Sequence, residues 1–442
     1  MRRMKEKDDE NNYDETPAFS GATPPEDTFN IAYLIYFALG AGILLPWNAF
    51  IAAVDYFDYL YPNTHIDRVF SIAYMFPSFI FLLFLMDFGR TYSMKSRINC
   101  GLVLYLITIL VVPAMDEALL KGQRGTQFTH YVTVGAVVLT GIADALAQGS
   151  LVGAAGELPE RYMQALFGGT AASGVIVSLL RIVTKAALPA TASGLRMSSD
   201  LYFGVSGAFV VICIVFNNLV DRLPVIRYYN QLKLKSLDLA PLLKREEKVE
   251  NGLEKHNQSS YSAEEAAVVD LSLPNLTNPV SYLHVFKQIQ ALAIALASIY
   301  VVTLSIFPGF ITEDVHSTAL GDWYPILLIA AYNFSDFVGK MLTALYCIEN
   351  RSLMVGGCIV RVLFFPLFAG CLHGPKILRT EAPVFILTSL LGVTNGYLTS
   401  AIMMYAPKVV SLQEAETAGI ILVIFLVAGL ATGSGLGWVW VI

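Results

Sequence analysis

Residues Phe29 to Val54 read FNIAYLIYFALGAGILLPWNAFIAAV, without an Asp, Glu, Lys, Arg or His. As a helix this stretch would be about 39 Å long. That exceeds the roughly 30 Å hydrocarbon core of a bilayer. It is also too long for the apolar core of a cleavable signal peptide, and a polar stretch of 28 residues precedes it. The stretch therefore reads as a membrane span. Ten more follow: Val69–Met86, Ile98–Met115, His130–Ala154, Met163–Leu188, Leu201–Val220, Gln288–Phe310, Trp323–Cys347, Ser352–Leu372, Ala382–Ala406 and Thr417–Ile442. Backbone groups in lipid must be bonded within a helix or around a closed barrel. A barrel would show short alternating strands, and these runs are continuous. The spacing predicts an all-α polytopic membrane protein with eleven transmembrane helices in a 6+5 two-bundle arrangement.

Composition points the same way. Of the 442 residues, 14% are charged and 55% apolar. A soluble domain carries roughly 25% charged residues. So few charges cannot give a globule of this size a wettable surface. A soluble enzyme, a nucleic-acid binder and a disordered scaffold are excluded, and the net charge of −6 offers no basic field for nucleic acid. The lipid bilayer is the first expected partner.

Lys and Arg in the connections set the orientation. Nineteen fall on the side of the N-terminus and six on the other. Without the nine between Val220 and Gln288 the bias is ten to six, in the same direction. The N-terminus is expected in the cytoplasm and the C-terminus outside. Residues 1–28 hold eight acidic side chains and read as a disordered acidic cytoplasmic tail. Residues 29–220 form an expected six-helix bundle, 221–282 a cytoplasmic loop, and 283–442 a five-helix bundle. Within the loop, 244–265 reads as a flexible linker. It is either a plain tether or a phosphorylated regulator at Ser259, Ser260 or Ser262. No sequence repeat between the two halves is legible. The cysteines show neither metal-ligand spacing nor a pairing pattern and read as small apolar fillers. No metal and no cofactor are expected. No nucleotide-binding loop of the Walker type is present, so ATP is not the expected energy source.

Ionisable residues inside spans are costly and usually face a cavity or a partner. Asp336 and Lys340 sit at i, i+4 in the eighth span, on one helix face. They form an internal ion pair, or present a carboxylate and an ammonium to a ligand rich in hydroxyls and ring nitrogens. Arg361 in the ninth span needs a carboxylate, and Asp336 is the expected partner in a structural or gating pair. Arg181 and Lys185 lie near a span end, where long basic chains snorkel to the interface. Asp144 and Gln148 repeat the i, i+4 spacing in the fourth span. Gln148 offers donors and an acceptor that suit a nucleobase edge. Helix–helix hydrogen bonding is the competing use. In the first span Pro46 bends the helix. Trp47 beside it is a stacking face for a purine or pyrimidine, or an interfacial anchor.

These motifs together resemble the equilibrative nucleoside transporter family. The resemblance rests on Gly40-Ala-Gly42-Ile-Leu-Leu-Pro46-Trp47-Asn48-Ala-Phe50, Gln148-Gly149-Ser150 and Phe334-Ser-Asp336-Phe-Val-Gly339-Lys340. It continues with Arg361 followed by Pro366, Asn395-Gly396-Tyr397-Leu398, Ala406-Pro407-Lys408 and Glu414-Ala-Glu416-Thr-Ala-Gly419. Pro159-Glu160-Arg161-Tyr162-Met163-Gln164 and the overall match look closest to plant members. The resemblance implies a fold related to the major facilitator plan. It also implies alternating access and transport of nucleosides such as adenosine and uridine. Trp47 would pack against the substrate, with Asn48 beside it. Gln148 would bond the base, Asp336 the ribose hydroxyls, and Lys340 would stand where many animal members carry arginine. Proton symport is the expected coupling, with Asp144 and Asp336 as candidate proton sites; facilitated diffusion is the alternative. Two other readings stand: an organic cation or monoamine carrier of the same fold, or a non-transporting sensor or scaffold. The expected state is a monomer in the plasma membrane, with the vacuolar membrane also open.

Overall fold

The computed structural model describes residues 24–62, 64, 66–88, 91–120, 123–189, 191–233, 281–307, 317–375 and 378–437, and these are helical with short connections. The acidic tail over 1–23 and the linker over 234–280, with its serines, lie outside the described residues.

Each apolar stretch forms a helix. In chain order they are Ile31–Ala52, Ile66–Phe88, Met94–Met115, Gln127–Gly156, Glu160–Ala187, Ala192–Leu219, Tyr282–Ile306, Tyr324–Leu342, Arg351–Val360 continued by Phe364–His373, Glu381–Tyr405 and Ala415–Leu436. They are called the first to the eleventh helix below. Among the described residues, ten are long and apolar enough to cross a membrane. The eighth is the exception. Asn333, Ser335, Asp336 and Lys340 dilute its apolar character, and it gains its place by packing between the fifth and tenth helices.

Several helices outrun their apolar stretches because charged residues at their ends find partners. The sixth begins at Ala192, well before Leu201, and its Arg196 pairs with Asp116 and Glu117 beyond the third helix. The third begins at Met94, and Arg97 in its first turn reaches Glu416 at 2.5 Å. The ninth is broken by a tight turn at Arg361–Leu363. Pro366 explains the break, since its ring clashes with the carbonyl four residues back and it offers no N–H. Helix also resumes over 224–233, past the expected end of the first bundle, and Lys233 is fastened to Glu157 at 2.5 Å. Burial raises the Glu157 carboxyl above its ordinary range, and Lys233 opposes that shift.

The first helix packs on the fifth and sixth, and the fourth on the second and third. In the second half the seventh packs on the eleventh and the eighth on the tenth. Two seams join the halves: fifth against eighth, and eleventh against second and fourth.

The halves repeat in geometry what they do not repeat in sequence. Gly141 of the fourth helix lies against the Tyr74 carbonyl of the second, and Gly392 of the tenth against the Tyr332 carbonyl of the eighth. Both tyrosines are stacked on by an aromatic ring near the end of a neighbouring helix. Trp47 lies on Tyr74 with centroids 4.1 Å apart and planes at 19°. Phe307 lies on Tyr332 at 4.0 Å and 20°. Three residues past each glycine stands a buried polar side chain, Asp144 and Asn395 respectively.

The two ends of the molecule are held differently. At the end where the first helix begins, called here the tail end, Arg97–Glu416 and Glu160–Lys408 join the halves. At the opposite end Lys185 donates to the Asp322 carbonyl at 3.0 Å and lies over the Trp323 ring. Arg181 there is held by Asp55 at 3.0 Å. Neither residue is left to snorkel, because each finds a protein acceptor first.

Close approach gives a direct check of this packing. A Cβ at Gly396 would overlap the Asp336 carbonyl. Gly396→Leu is expected to cost at least about 1–3 kcal/mol, the usual penalty of overpacking. It should lower the thermal midpoint and the monodisperse yield in detergent. Gly204→Ala, which meets open space, should leave both unchanged.

Candidate functional site

A buried polar cluster begins on the eighth helix. Asp336 and Lys340 are 7% and 5% exposed, and Lys340 Nζ lies 3.0 Å from Asp336 Oδ2. The other carboxylate oxygen accepts from Asn395 Nδ2 at 2.7 Å. Asn395 Oδ1 in turn accepts from the Thr303 hydroxyl at 2.9 Å. Arg361 ends the run, donating to Thr303 Oγ1 at 2.5 Å, to the Leu391 carbonyl at 3.1 Å and to the Thr394 hydroxyl.

The expected direct pair of Arg361 with Asp336 is therefore not formed. Both Asp336 oxygens are taken, one by Lys340 and one by Asn395. The guanidinium fork is spent on neutral oxygens and reaches the carboxylate only through Thr303 and Asn395. Phe364 lies beneath the fork, 5.6 Å from the guanidinium carbon to the ring centre.

The cluster crosses to the first half along the fifth helix. Lys340 Nζ donates to Thr170 Oγ1 at 3.3 Å. One turn along, Asn48 Nδ2 donates to Ser173 Oγ at 2.9 Å, and Ser173 donates back to the Thr170 carbonyl at 2.6 Å. Asn333 adds a second crossing, donating to Ser178 Oγ at 2.8 Å and to the Gly174 carbonyl at 3.3 Å. Small side chains on this face let the eighth helix approach closely. Asn48, Ser173, Thr170, Lys340, Asp336, Asn395, Thr303 and Arg361 thus form one connected polar run through six helices.

A second cluster lies behind Trp47. Asp144 is 3% exposed and accepts from the Tyr105 hydroxyl at 2.9 Å. Tyr74 and Ser78 of the second helix stand close to the same carboxylate. With its amide nitrogen turned toward Asp144, Gln148 donates to both carboxylate oxygens, at 3.3 and 3.1 Å. The opposite rotation would set acceptor against acceptor.

The structure thus brings Asn48, Asp336 and Lys340 into one network. It brings Asp144 and Gln148 into another, and Trp47, next to Asn48 in sequence, stands between them with one face covered by Tyr74. Gln148 does not touch Asp336. Two cavities, about 220 and 320 Å³, open at the tail end, and neither is lined by Trp47, Gln148 or Asp336. The sequence-based reading missed Thr170, Ser173, Thr303, Tyr74 and Tyr105. Isolated hydroxyls in apolar helices carry no spacing signal. Asn395 stood inside a quoted motif, but its role as the carboxylate's second partner was not legible.

Comparison with known proteins now adds identity. Residues 134–442 match the family described as Nucleoside transporter. The chain is 51% identical to Equilibrative nucleotide transporter 1 of Arabidopsis thaliana over 419 residues, covering 95% of this chain and 88% of that one. It is 44% identical to Equilibrative nucleotide transporter 8 of the same plant, covering 94% and 96%. Among solved structures it resembles the proton:xylose symporter XylE of the major facilitator superfamily. That match has a TM-score of 0.62 and 10% identity and covers 94% and 89% of the two chains. The E. coli fucose:proton symporter FucP aligns with a TM-score of 0.56 and 9% identity over 92% and 95%. At such identities the likeness is one of fold, a major facilitator-like one.

The Asp336–Lys340 pair can be tested by stability alone. Lys340→Met leaves a buried carboxylate without its cation and should cost about 3–5 kcal/mol. The double variant Asp336→Asn with Lys340→Met removes both charges and should recover much of that loss. Thermal unfolding in detergent of the two single variants and the double variant reads the coupling.

Proposed function

The chain belongs to the equilibrative nucleoside transporter family, and from that premise we propose that it carries purine and pyrimidine nucleosides by alternating access between its six-helix and five-helix halves. The observation that carries this reading is the polar run from Asn48 to Arg361, which crosses the seam between the halves where Lys340 donates to Thr170. A nucleoside is a neutral molecule bearing hydroxyls on a sugar and donors and acceptors on a flat ring. Sugar hydroxyls replace Asn395 as a partner of Asp336 at little cost, because the carboxylate keeps a hydrogen bond there and keeps its cation Lys340. The ring takes the face of Trp47 when Tyr74 yields it, and its edge meets Gln148. In this arrangement the halves touch through Lys340 and Asn333, so the substrate enters when they part.

Coupling to protons is the reading we favour, with Asp144 as the proton-carrying group. It is a buried carboxylate held by hydroxyls and an amide, whereas Asp336 already has Lys340. We place the tail end in the cytoplasm, all eleven helices in the membrane and the protein in the plasma membrane. A second reading follows from the same carboxylate. Without a cation beside it, Asp144 suits an organic cation, and excess monoamine would then compete with labelled adenosine.

Labelled uridine and adenosine uptake into proteoliposomes tests the proposal. Uptake should be saturable, and Asp336→Asn should reduce it by about tenfold or more, the cost of about one charge-assisted hydrogen bond. An imposed acid-outside gradient should raise wild-type flux, and Asp144→Asn should flatten that response. Equal flux with and without the gradient would mean facilitated diffusion. No saturable flux of either nucleoside would sink the assignment.

A further inference from the structure

Asp144 and Gln148 lie one turn apart, and the distances between them leave the glutamine two choices. An ionised carboxylate only accepts, so it draws the amide N–H groups, as the 3.1 and 3.3 Å contacts describe. The amide oxygen is then the end left free. A protonated carboxyl donates instead, and Tyr105 decides from which oxygen. Its hydroxyl donates to Oδ1 at 2.9 Å, so the proton sits on Oδ2 and is given to the Gln148 oxygen. The amide turns over, and its N–H groups become the free end.

We propose that Asp144, held by Tyr105, is a positioning residue that selects which end of the Gln148 amide is offered to the nucleobase, so that its proton switches the site between an acceptor and a donor. This rests on the reading that Gln148 meets the base, and it deepens that reading by giving the base preference a cause.

The surroundings make the carboxylate the switch. From the second helix it is faced by Tyr74 and Ser78, from the third by Tyr105, and from its own helix by Gln148. The first helix contributes only the Trp47 ring, through its stack on Tyr74. The charged groups of the fifth and eleventh helices lie at the two ends of the molecule: Glu160 pairs with Lys408 and Glu416 with Arg97 at the tail end, and Arg181 and Lys185 are held by Asp55 and the Asp322 carbonyl at the opposite one. Glu416 lies against Gly153, which is about 13 Å of helix away from Asp144. No lysine, arginine or histidine among the described residues contacts Asp144 to fix its charge.

The exocyclic group at ring position 6 separates the two states. Adenosine carries an amino donor there, and inosine a carbonyl acceptor. An ionised Asp144 exposes the amide oxygen and favours adenosine; a protonated one exposes the N–H groups and favours inosine. The readout is the ratio of KM for inosine to KM for adenosine in proteoliposomes. A ratio cancels both the amount of inserted protein and any effect of the proton gradient common to the two substrates. In wild type it should rise by about tenfold between about pH 5.5 and about pH 8, the cost of one mismatched buried polar group. Asp144→Asn should hold the acid value throughout, because Tyr105 fixes the new carbonyl and leaves the new amide nitrogen to face Gln148. Gln148→Leu should bring the ratio near one at every pH.

A flat ratio in wild type, or a pH-dependent ratio surviving in Asp144→Asn, overturns the proposal while leaving base contact by Gln148 intact. A ratio unchanged by Gln148→Leu overturns the base contact itself, and the proposal with it. Should Asp144→Asn fail to insert, Tyr105→Phe gives the decision. Tyr105 is the donor that holds the ionised carboxylate, so without it the midpoint of the ratio should shift. A midpoint that stays put overturns the proposal.

Discussion

A charge removed from water must be matched by another charge or by enough hydrogen bonds, and in this protein that demand organises the interior. Asp336, Lys340 and Arg361 are all nearly inaccessible. A lone ion at such depth would cost several kcal/mol. The answer here is to string the ions together with neutral side chains drawn from four other helices. Lys340 is shared between a carboxylate of its own helix and a hydroxyl of the other half. The two terminal nitrogens of Arg361 are satisfied without any anion in contact, by carbonyl and hydroxyl oxygens of the seventh and tenth helices. Helices that would otherwise slide freely past one another in lipid are held in register by these groups.

The fold was largely legible because lipid leaves little choice. A continuous apolar run is a helix wherever it lies in the bilayer, and every such stretch became one. What the runs concealed was their ends. Arg97, Arg196 and Asp200 look like connection residues by polarity but lie inside helices, since Glu416, Asp116 and Glu117 take the two arginines. The site was half legible. The i, i+4 pairs Asp336–Lys340 and Asp144–Gln148 are local, and the pattern reveals local geometry. Arg361 was misassigned because its partner was chosen by charge alone. Thr303 and Asn395, residues far apart in sequence, took that place.

The recurrence across the halves has a related lesson. A glycine pressed on a tyrosine carbonyl and an aromatic stacked on that tyrosine occur twice. The polar residues around the two copies have parted company. In the first half the carboxylate stands on the fourth helix opposite Ser78. In the second it stands on the eighth helix opposite Asn395. Backbone approach tolerates only glycine at the contact, while the neighbouring positions are free to change chemistry. That is why no repeat can be read by comparing residues and why the same packing is nevertheless present.

The unequal fastening of the two ends has an energetic corollary. Parting the halves at the tail end exposes two ion pairs, Arg97–Glu416 and Glu160–Lys408, and four charged groups must acquire separate hydration shells. Parting them at the opposite end frees one lysine from a carbonyl and an indole face. The molecule is thereby a spring with unlike stops, one governed by dissolved salt and the other by the shape and polarisability of a ring. A change in ionic strength on one side of the membrane acts on the first stop and leaves the second almost untouched.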